Sequence, residues 1–333
     1  MIENVNENSL IKTVKEVEKV FGKGSIMLFN DDTFTNVKVT SSGSMLLNQA
    51  LGIGGFPQGR IVEIYGPEST GKTTLALLTL AQGQKNQQKV AFIDAEHALD
   101  AQYCQKLGID LDQFLLSQPD SGEQALEILE MLVKTGIINL IVIDSVAALV
   151  PEVELKGEIN DQIIGAQARL MSKALRRLAP MIAKTNCTVI FINQIRQKIG
   201  VIYGNSEVTP GGKALKFYSS IRLEVRKGEQ IVENQIVIGH KIKIKVVKNK
   251  LAAPYKVAMI DFYFKSGISL INEIIELAVT SKIISKSGSW YSYEDLKLGQ
   301  GKDNVKEYLE NHLDLLDKIK LKIEFPIKNS NLC

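Results

Sequence analysis

The sequence predicts an α/β fold: a mostly parallel central sheet flanked by helices, with a short helical element before it and a small α/β domain after it. Three observations predict this. Between about residues 34 and 269, short runs of Val and Ile alternate with helical stretches, the pattern of a parallel sheet with crossover helices. Residues 8–21, NSLIKTVKEVEKVF, carry Leu10, Ile11, Val14, Val17, Val20 and Phe21 at helical spacing. From about 270 the pattern changes to shorter amphipathic pieces, LINEIIELAV and VKEYLENHLDLLDKI, around a Gly/Ser/aromatic section, SKSGSWYSYED. The expected domains are therefore 1–33, a helix and linker for subunit packing; 34–269, the core; and 270–333, the C-terminal domain.

Within the core, the strand candidates in chain order are RIVEIYG, KVAFIDA, NLIVIDS, TVIFINQ, SSIRLEV and KIKIKVV. Several are near-continuous apolar runs, as strands covered on both faces should be. The last alternates instead, with Lys241, Lys243 and Lys245 on one face and Ile242, Ile244 and Val246 on the other. Helices are expected over 72–86, 121–135 and 165–185. An N-terminal element of about 33 residues buries little core alone, so it is expected to dock on its own chain or on a neighbouring copy.

Composition narrows the function classes. With 45% hydrophobic and 23% charged residues the chain has the balance of a globular protein. No stretch reaches the eighteen or more apolar residues of a membrane span, and MIENVNENSL has no secretory pattern. Cys104, Cys187 and Cys333 form no CxxC pair and no Cys/His cluster, so reduced thiols in a cytoplasmic protein are expected. A net charge of +3 does not argue for nucleic acid; any such case rests on where the charges sit.

Residues 66–73, GPESTGKT, fit G-x-x-x-x-G-K-[ST] between a strand and a helix. Gly66 and Gly71 let the backbone curl so that successive N–H groups face phosphate oxygens. Lys72 reaches the β/γ-phosphates, Thr73 is placed to hold Mg²⁺, and the helix that follows presents its N-terminus to the anion. Two acidic sites follow at strand ends. Asp144 closes NLIVID, the place of a carboxylate that holds Mg²⁺ through its water shell. Asp94 and Glu96 follow KVAFI, and a carboxylate there can orient and polarise an attacking water.

A long loop, residues 195–212, IRQKIGVIYGNSEVTPGG, leaves the end of TVIFINQ. It has no lasting period, and loops of more than about 12–15 residues in compact domains are usually functional or disordered.

GPESTGKTT, IDAEHALD, LIVIDSVAALVP, FINQIR, KIGV and VKNKLAAP together resemble the RecA family of P-loop ATPases, the bacterial strand-exchange recombinases, through essentially the whole chain. The resemblance implies a RecA-like core with ATP and Mg²⁺ as cofactors, and polymerisation on single-stranded DNA with ATP between neighbouring subunits. It also implies pairing with double-stranded DNA, strand exchange and repair. By the same resemblance Glu96 positions the hydrolytic water and Gln194 senses the γ-phosphate. Gly66, Pro67, Glu68, Ser69, Thr70, Gly71, Lys72, Thr73 and Thr74 would hold the phosphates, with Asp100 and Tyr103 on adenine. Lys248 and Lys250 would reach a neighbour's ATP.

DNA contacts are expected from two loops. One, about 156–165, leads into a helix with Arg169, Ser172, Arg176 and Arg177; the other is 195–212, with Arg196, Lys198, Ile199 and Tyr203, closed by Gly211 and Gly212. Cationic groups and amides suit phosphates, and an apolar wedge such as Ile199 can part stacked bases.

The departures from the family are informative. Ile164 and Ile202 stand where methionine is common, and Tyr203 where phenylalanine is. Phe264 lacks the hydroxyl usual at its position. Residues 302–333 carry six lysines and six acids, so the restraint attributed to an acidic tail is not expected. Glu229 lies where the family meets LexA-type repressors, which extends the expectation to SOS activation. A ring-forming helicase on the same core stays open as an alternative, although only about 33 residues precede the core. A metabolite kinase would need a lid and acceptor pocket, and a passive DNA coat would not need the ATPase set.

Overall fold

In the computed structural model, residues 2–23, 25–26, 37–158, 165–197 and 206–329 are described, without side-chain detail for 2–9 and 324–329. The chain forms two compact units, Met1–Lys38 and Val39–Cys333. The first holds helix α1 (Ile2–Phe21), on which Leu10, Ile11, Val20 and Phe21 are exposed. An apolar stripe left in water is what a helix destined for a partner surface presents.

The second unit runs β1 (Val39–Thr40), α2 (Met45–Leu51), β2 (Phe56–Pro57), β3 (Ile61–Gly66), α3 (Lys72–Lys85), β4 (Val90–Asp94), α4 (Ala101–Lys106), β5 (Phe114–Ser117), α5 (Gly122–Lys134), β6 (Leu140–Asp144), α6 (Glu152–Lys156), α7 (Ala166–Thr185) and β7 (Thr188–Gln194). It continues with β8 (Arg196–Gln197), β9 (Glu207–Val208), α8 (Ala214–Tyr218), β10 (Ile221–Glu233), β11 (Ile236–Asn249), β12 (Val257–Tyr263) and β13 (Gly267–Ile268). Last come α9 (Leu270–Thr280), β14 (Ser285–Ser287), β15 (Trp290–Tyr293), β16 (Leu296–Gln300), α10 (Lys302–Glu310) and α11 (Leu313–Asn329).

Among the described residues the main sheet has nine strands in the order β13-β12-β11-β10-β3-β7-β6-β4-β5. From β10 to β5 all neighbours are parallel; β10 to β13 form an antiparallel extension. All six expected strands and all three expected helices are present. The parallel strands β3, β4, β6 and β7 are buried on both faces, and this is why their apolar runs are unbroken. One apolar layer joins them to α2 and α3 through Leu47, Leu75 and Leu80. The opposite layer joins them to α5 and α7 through Leu129, Met171 and Leu175. Ile242, Ile244 and Val246 of β11 are buried as the alternation requires.

β14–β16 form a separate antiparallel sheet, packed with α9, α10 and α11 around Ile275, Leu298 and Ile319, and Met45 of α2 joins this core. A buried carboxylate ties the two parts together. Glu273 of α9 accepts from Ser44 Oγ and the Met45 amide, each at 2.6 Å, and so caps α2 from across the chain. β12 is a second tie. Asp261 and Tyr263 hydrogen bond to Asn272, both at 3.1 Å, and Lys302 stands 3.4 Å from Asp261.

Candidate nucleotide site and DNA-facing loops

The site forms at the carboxyl edge of the parallel strands, where open α/β sheets place ligands. β3 ends on Gly66, where any Cβ would lie 2.1 Å from the Val225 carbonyl oxygen, so the loop can leave the sheet only from a glycine. The loop closes on Gly71, whose φ of 86° is the left-handed conformation that α3 needs at its N-cap. Lys72 is buried, and its ammonium donates to the Pro67 carbonyl at 2.5 Å. Burial lowers its pKa, against the opposing pull of Asp144, Glu96 and Glu68.

Thr73 Oγ1 donates to Asp144 Oδ2 at 2.5 Å. Burial pushes the Asp144 carboxyl up to about 6, and the neighbouring charges of Glu96 and Asp94 add to this while the Thr73 bond and Lys72 oppose it. Several acids near one hydroxyl leave negative charge in excess, which fits a divalent cation. Among the described residues no cluster of three His, Cys, Asp or Glu could hold a metal by protein ligands alone. Thr73 and Asp144 are the residues that would hold such a cation beside a phosphate.

Glu96 follows β4, held by the Ala95 and Glu96 amides donating to the Asp144 carbonyl at 2.8 and 3.3 Å. Its Oε1 accepts from Ser145 Oγ at 2.5 Å and from Gln194 Nε2 at 3.1 Å. Asp94 is spent differently: its Oδ2 accepts from the Leu99 amide and from Gln118 Nε2, which fixes the loop after β4.

A cavity of about 360 Å³ is lined by Ser69–Thr74, Tyr103, His240, Phe262 and Phe264. Tyr103 reaches it from α4, its hydroxyl 2.9 Å from Thr74 Oγ1. Asp100 caps α4, accepting from the Tyr103 amide at 2.9 Å, and lies outside that lining. Sequence reasoning missed His240 and Phe262 here. Strand alternation alone hides which of the two faces meets a ligand.

Lys248 donates to the carbonyls of Lys216 and Phe217, at 2.6 and 3.1 Å, at the end of α8 in its own chain. Burial, reinforced by Lys250, lowers its pKa. Lys250 lines a second cavity of about 350 Å³ with Arg60, Phe217 and Ser220.

Of the residues expected to face DNA, Arg169 and Arg176 are exposed on α7 and Ser172 is half-buried. Arg177, on the same helix, pairs with Glu130 of α5 at 2.7 Å. Arg196 points back to the phosphate loop, 3.6 Å from Glu68. Lys198, Ile199 and Tyr203, with Ile164 and Ile202, lie outside the described residues, as do 159–164 and 198–205.

The right-hand end of the 195–212 loop is anchored. The Gly211 amide donates to Gln167 Oε1 at 3.0 Å, and Asn193 Nδ2 donates to the Pro210 carbonyl at 3.2 Å. The Gly211 amide is thus used inside the fold, and Gly212 leads to α8, a helix of only five residues. Asn193 also donates to Glu63 Oε1 at 3.1 Å, and Glu63 pairs with Arg222 at 2.5 Å. Asn193, Gln167 and Ser145 were not anticipated. An Asn inside an otherwise apolar strand run was the available signal.

A strand, glycine loop and helix of this geometry at the edge of a mostly parallel sheet define the P-loop nucleotide-binding proteins. The RecA N-terminal domain family matches residues 8–269, and the RecA C-terminal domain family matches 272–328. The Protein RecA of Mycoplasma mycoides subsp. mycoides SC is 60% identical over 304 residues, 91% of this chain and 88% of that one. That of Mesoplasma florum is 55% identical, covering 97% of both chains. That of Listeria monocytogenes serotype 4a is 52% identical over 98% of this chain and 95% of its own. The chain belongs to the RecA family.

Proposed function

We propose that this chain is a DNA-dependent ATPase that assembles as a helical filament on single-stranded DNA, pairs it with homologous duplex and exchanges strands in recombination and repair. One observation carries the reading: Gln194, the last residue of β7, hydrogen bonds Glu96 at 3.1 Å, and the 195–212 loop starts one residue later. A carboxylate suited to hydrolysis is thereby joined to the root of a loop suited to DNA.

The phosphates of ATP occupy Gly66–Thr74, where Lys72 exchanges the Pro67 carbonyl for a phosphate oxygen. Thr73 and Asp144 would hold Mg²⁺, which would offset the charge of the phosphates when bound. Glu96 orients the attacking water and accepts its proton. Gln194 leaves Glu96 for the γ-phosphate, and the loop responds. Lys248 and Lys250 supply positive charge to a neighbour's nucleotide once assembled; for Lys248 this means giving up the α8 carbonyls. Arg169, Ser172, Arg176, Arg196, Lys198, Ile199, Tyr203 and Gly211–Gly212 form the DNA face.

Residues 1–33 serve subunit packing, 34–269 the ATPase core and 270–333 the C-terminal domain. The setting is the cytoplasm, and a LexA-type repressor cleaving itself on the filament is a further partner, with SOS activation as the outcome. No described helix is long and apolar enough to cross a membrane.

ATP turnover with and without single-stranded DNA, alongside electron microscopy, tests the reading. Turnover that rises with DNA, on filaments lost in Lys72→Ala, is the expected result. Turnover indifferent to DNA, or closed rings that unwind duplex, would overturn it.

A further inference from the structure

His240 stands opposite Phe262 in the β11–β12 register. Its ring centroid is 5.2 Å from that of Phe262 and 5.7 Å from that of Phe264. The residue is only 2% exposed, yet neither Nδ1 nor Nε2 has a hydrogen-bonding partner. Buried polar atoms in folded proteins are nearly always paired, so two orphaned atoms on one ring need a reason.

That ring lines the cavity over the phosphate loop. Ser69–Thr74 bring hydroxyl, amide and ammonium groups suited to phosphate. Tyr103, Phe262 and Phe264 bring flat apolar faces suited to a base. The Tyr103 hydroxyl is already engaged with Thr74, and the two phenylalanines have no polar atom. Among the described aromatic residues of the lining, His240 alone carries buried polar atoms with no hydrogen bond at all. Burial, with the charge of Lys227, lowers its pKa and so favours the neutral ring. A neutral imidazole offers one donor and one acceptor, an edge that suits an uncharged nucleoside better than a phosphate.

We propose that His240 determines nucleotide recognition at the nucleoside end of the site, hydrogen bonding to the base or sugar while the surrounding aromatic faces hold it. The inference rests on the reading of Gly66–Thr74 as the phosphate site.

Calorimetric titration of ATP, dATP and inorganic tripolyphosphate, each with Mg²⁺, into wild type, His240→Phe and His240→Gln tests it. His240→Phe is expected to bind ATP roughly fivefold to tenfold more weakly, the loss of one or two hydrogen bonds. Tripolyphosphate affinity should be unchanged, and His240→Gln should restore part of the ATP affinity. A deficit that persists with dATP assigns the contact to the base or the 3′-hydroxyl; one that disappears assigns it to the 2′-hydroxyl. Without nucleotide, His240→Phe should melt no lower than wild type, because the unpaired nitrogens are gone. A structural histidine would give the opposite sign.

Unchanged ATP affinity in His240→Phe overturns the inference. So does an equal loss for ATP and tripolyphosphate together with a lower melting temperature. If Lys72→Ala leaves both ligands bound as in wild type, the phosphate-site reading itself fails, and the inference with it.

Discussion

Gln194 and Ser145 donate to the same carboxylate oxygen of Glu96, at 3.1 and 2.5 Å. Gln194 keeps its own carbonyl oxygen buried and without a partner. An amide with one group engaged and the other unspent can exchange partners at little net cost in hydrogen bonds. Its backbone is fixed meanwhile, because the Gln194 amide donates to Asn193 Oδ1 at 3.0 Å. Motion at Gln194 is therefore confined to its side chain.

On the proposed function, that arrangement would separate hydrolysis from its stimulation by DNA. Glu96→Gln is expected to lower ATP turnover by roughly 10²–10⁴, the usual contribution of a positioned general base. Gln194→Ala should remove the increment due to single-stranded DNA while ATP still binds by calorimetry. Undiminished stimulation in Gln194→Ala would disconnect the residue from the loop.

Arg196 is exposed and lies at the root of the 195–212 loop, 3.6 Å from an equally exposed Glu68. Such a pair holds the side chain only weakly, so DNA phosphate can displace the carboxylate. Arg196→Ala should reduce the log–log salt slope of single-strand binding by roughly 0.7, one phosphate contact. Fluorescence anisotropy at several salt concentrations measures this, and an unaltered slope removes Arg196 from the DNA face.

Glu273 carries a pH dependence. Burial raises its carboxyl from 4.5 to about 7, although the Ser44 hydroxyl and the amides of Met45 and Leu46 oppose the rise. The folded chain therefore holds this proton more tightly than the unfolded chain. The resulting stability is full below pH 4.5 and is lost as pH rises through about 7. Glu273→Gln should flatten the wild-type decline over that window, by about 3 kcal/mol at most. Chemical denaturation at pH 4.5 and 7.5 gives the difference, and parallel pH profiles for the two proteins would refute the assignment.

The Glu63–Arg222 pair has side-chain exposures of 0 and 12%, so neither charge is hydrated by bulk water. Arg222→Leu should destabilise the fold by about 3–5 kcal/mol, because it leaves a buried carboxylate without its cation. The double variant Glu63→Leu/Arg222→Leu should recover much of that loss in urea denaturation. A single variant within 1 kcal/mol of wild type, about the size of an exposed pair, would mean that water reaches Glu63.

The sequence made the sheet legible where physics writes it locally. Strands buried on both faces must be apolar throughout, so β3, β4, β6 and β7 appear as unbroken runs. The phosphate loop is legible because glycine geometry and a following helix leave a fixed spacing. β5 and β12 were not marked. Leu115 and Leu116 of β5 are half exposed on a sheet edge, and β12 shows only alternation. The site's supports were hidden for another reason. Asn193 meets Glu63 across 130 residues, Arg222 meets Glu63 across 159, and Ser44 meets Glu273 across 229. No local pattern encodes such partners. The intrachain bonds of Lys248 were invisible in the same way, since they depend on where α8 ends.

β12 gives the molecule a party wall. On one side it sets Phe262 against the cavity; on the other it offers Asp261 and Tyr263 to Asn272 and Lys302 of the C-terminal helices. Side chains of opposite parity share one backbone, so the two faces of the strand serve two different neighbours. The cavity and the C-terminal helices thus share a single wall, one strand thick.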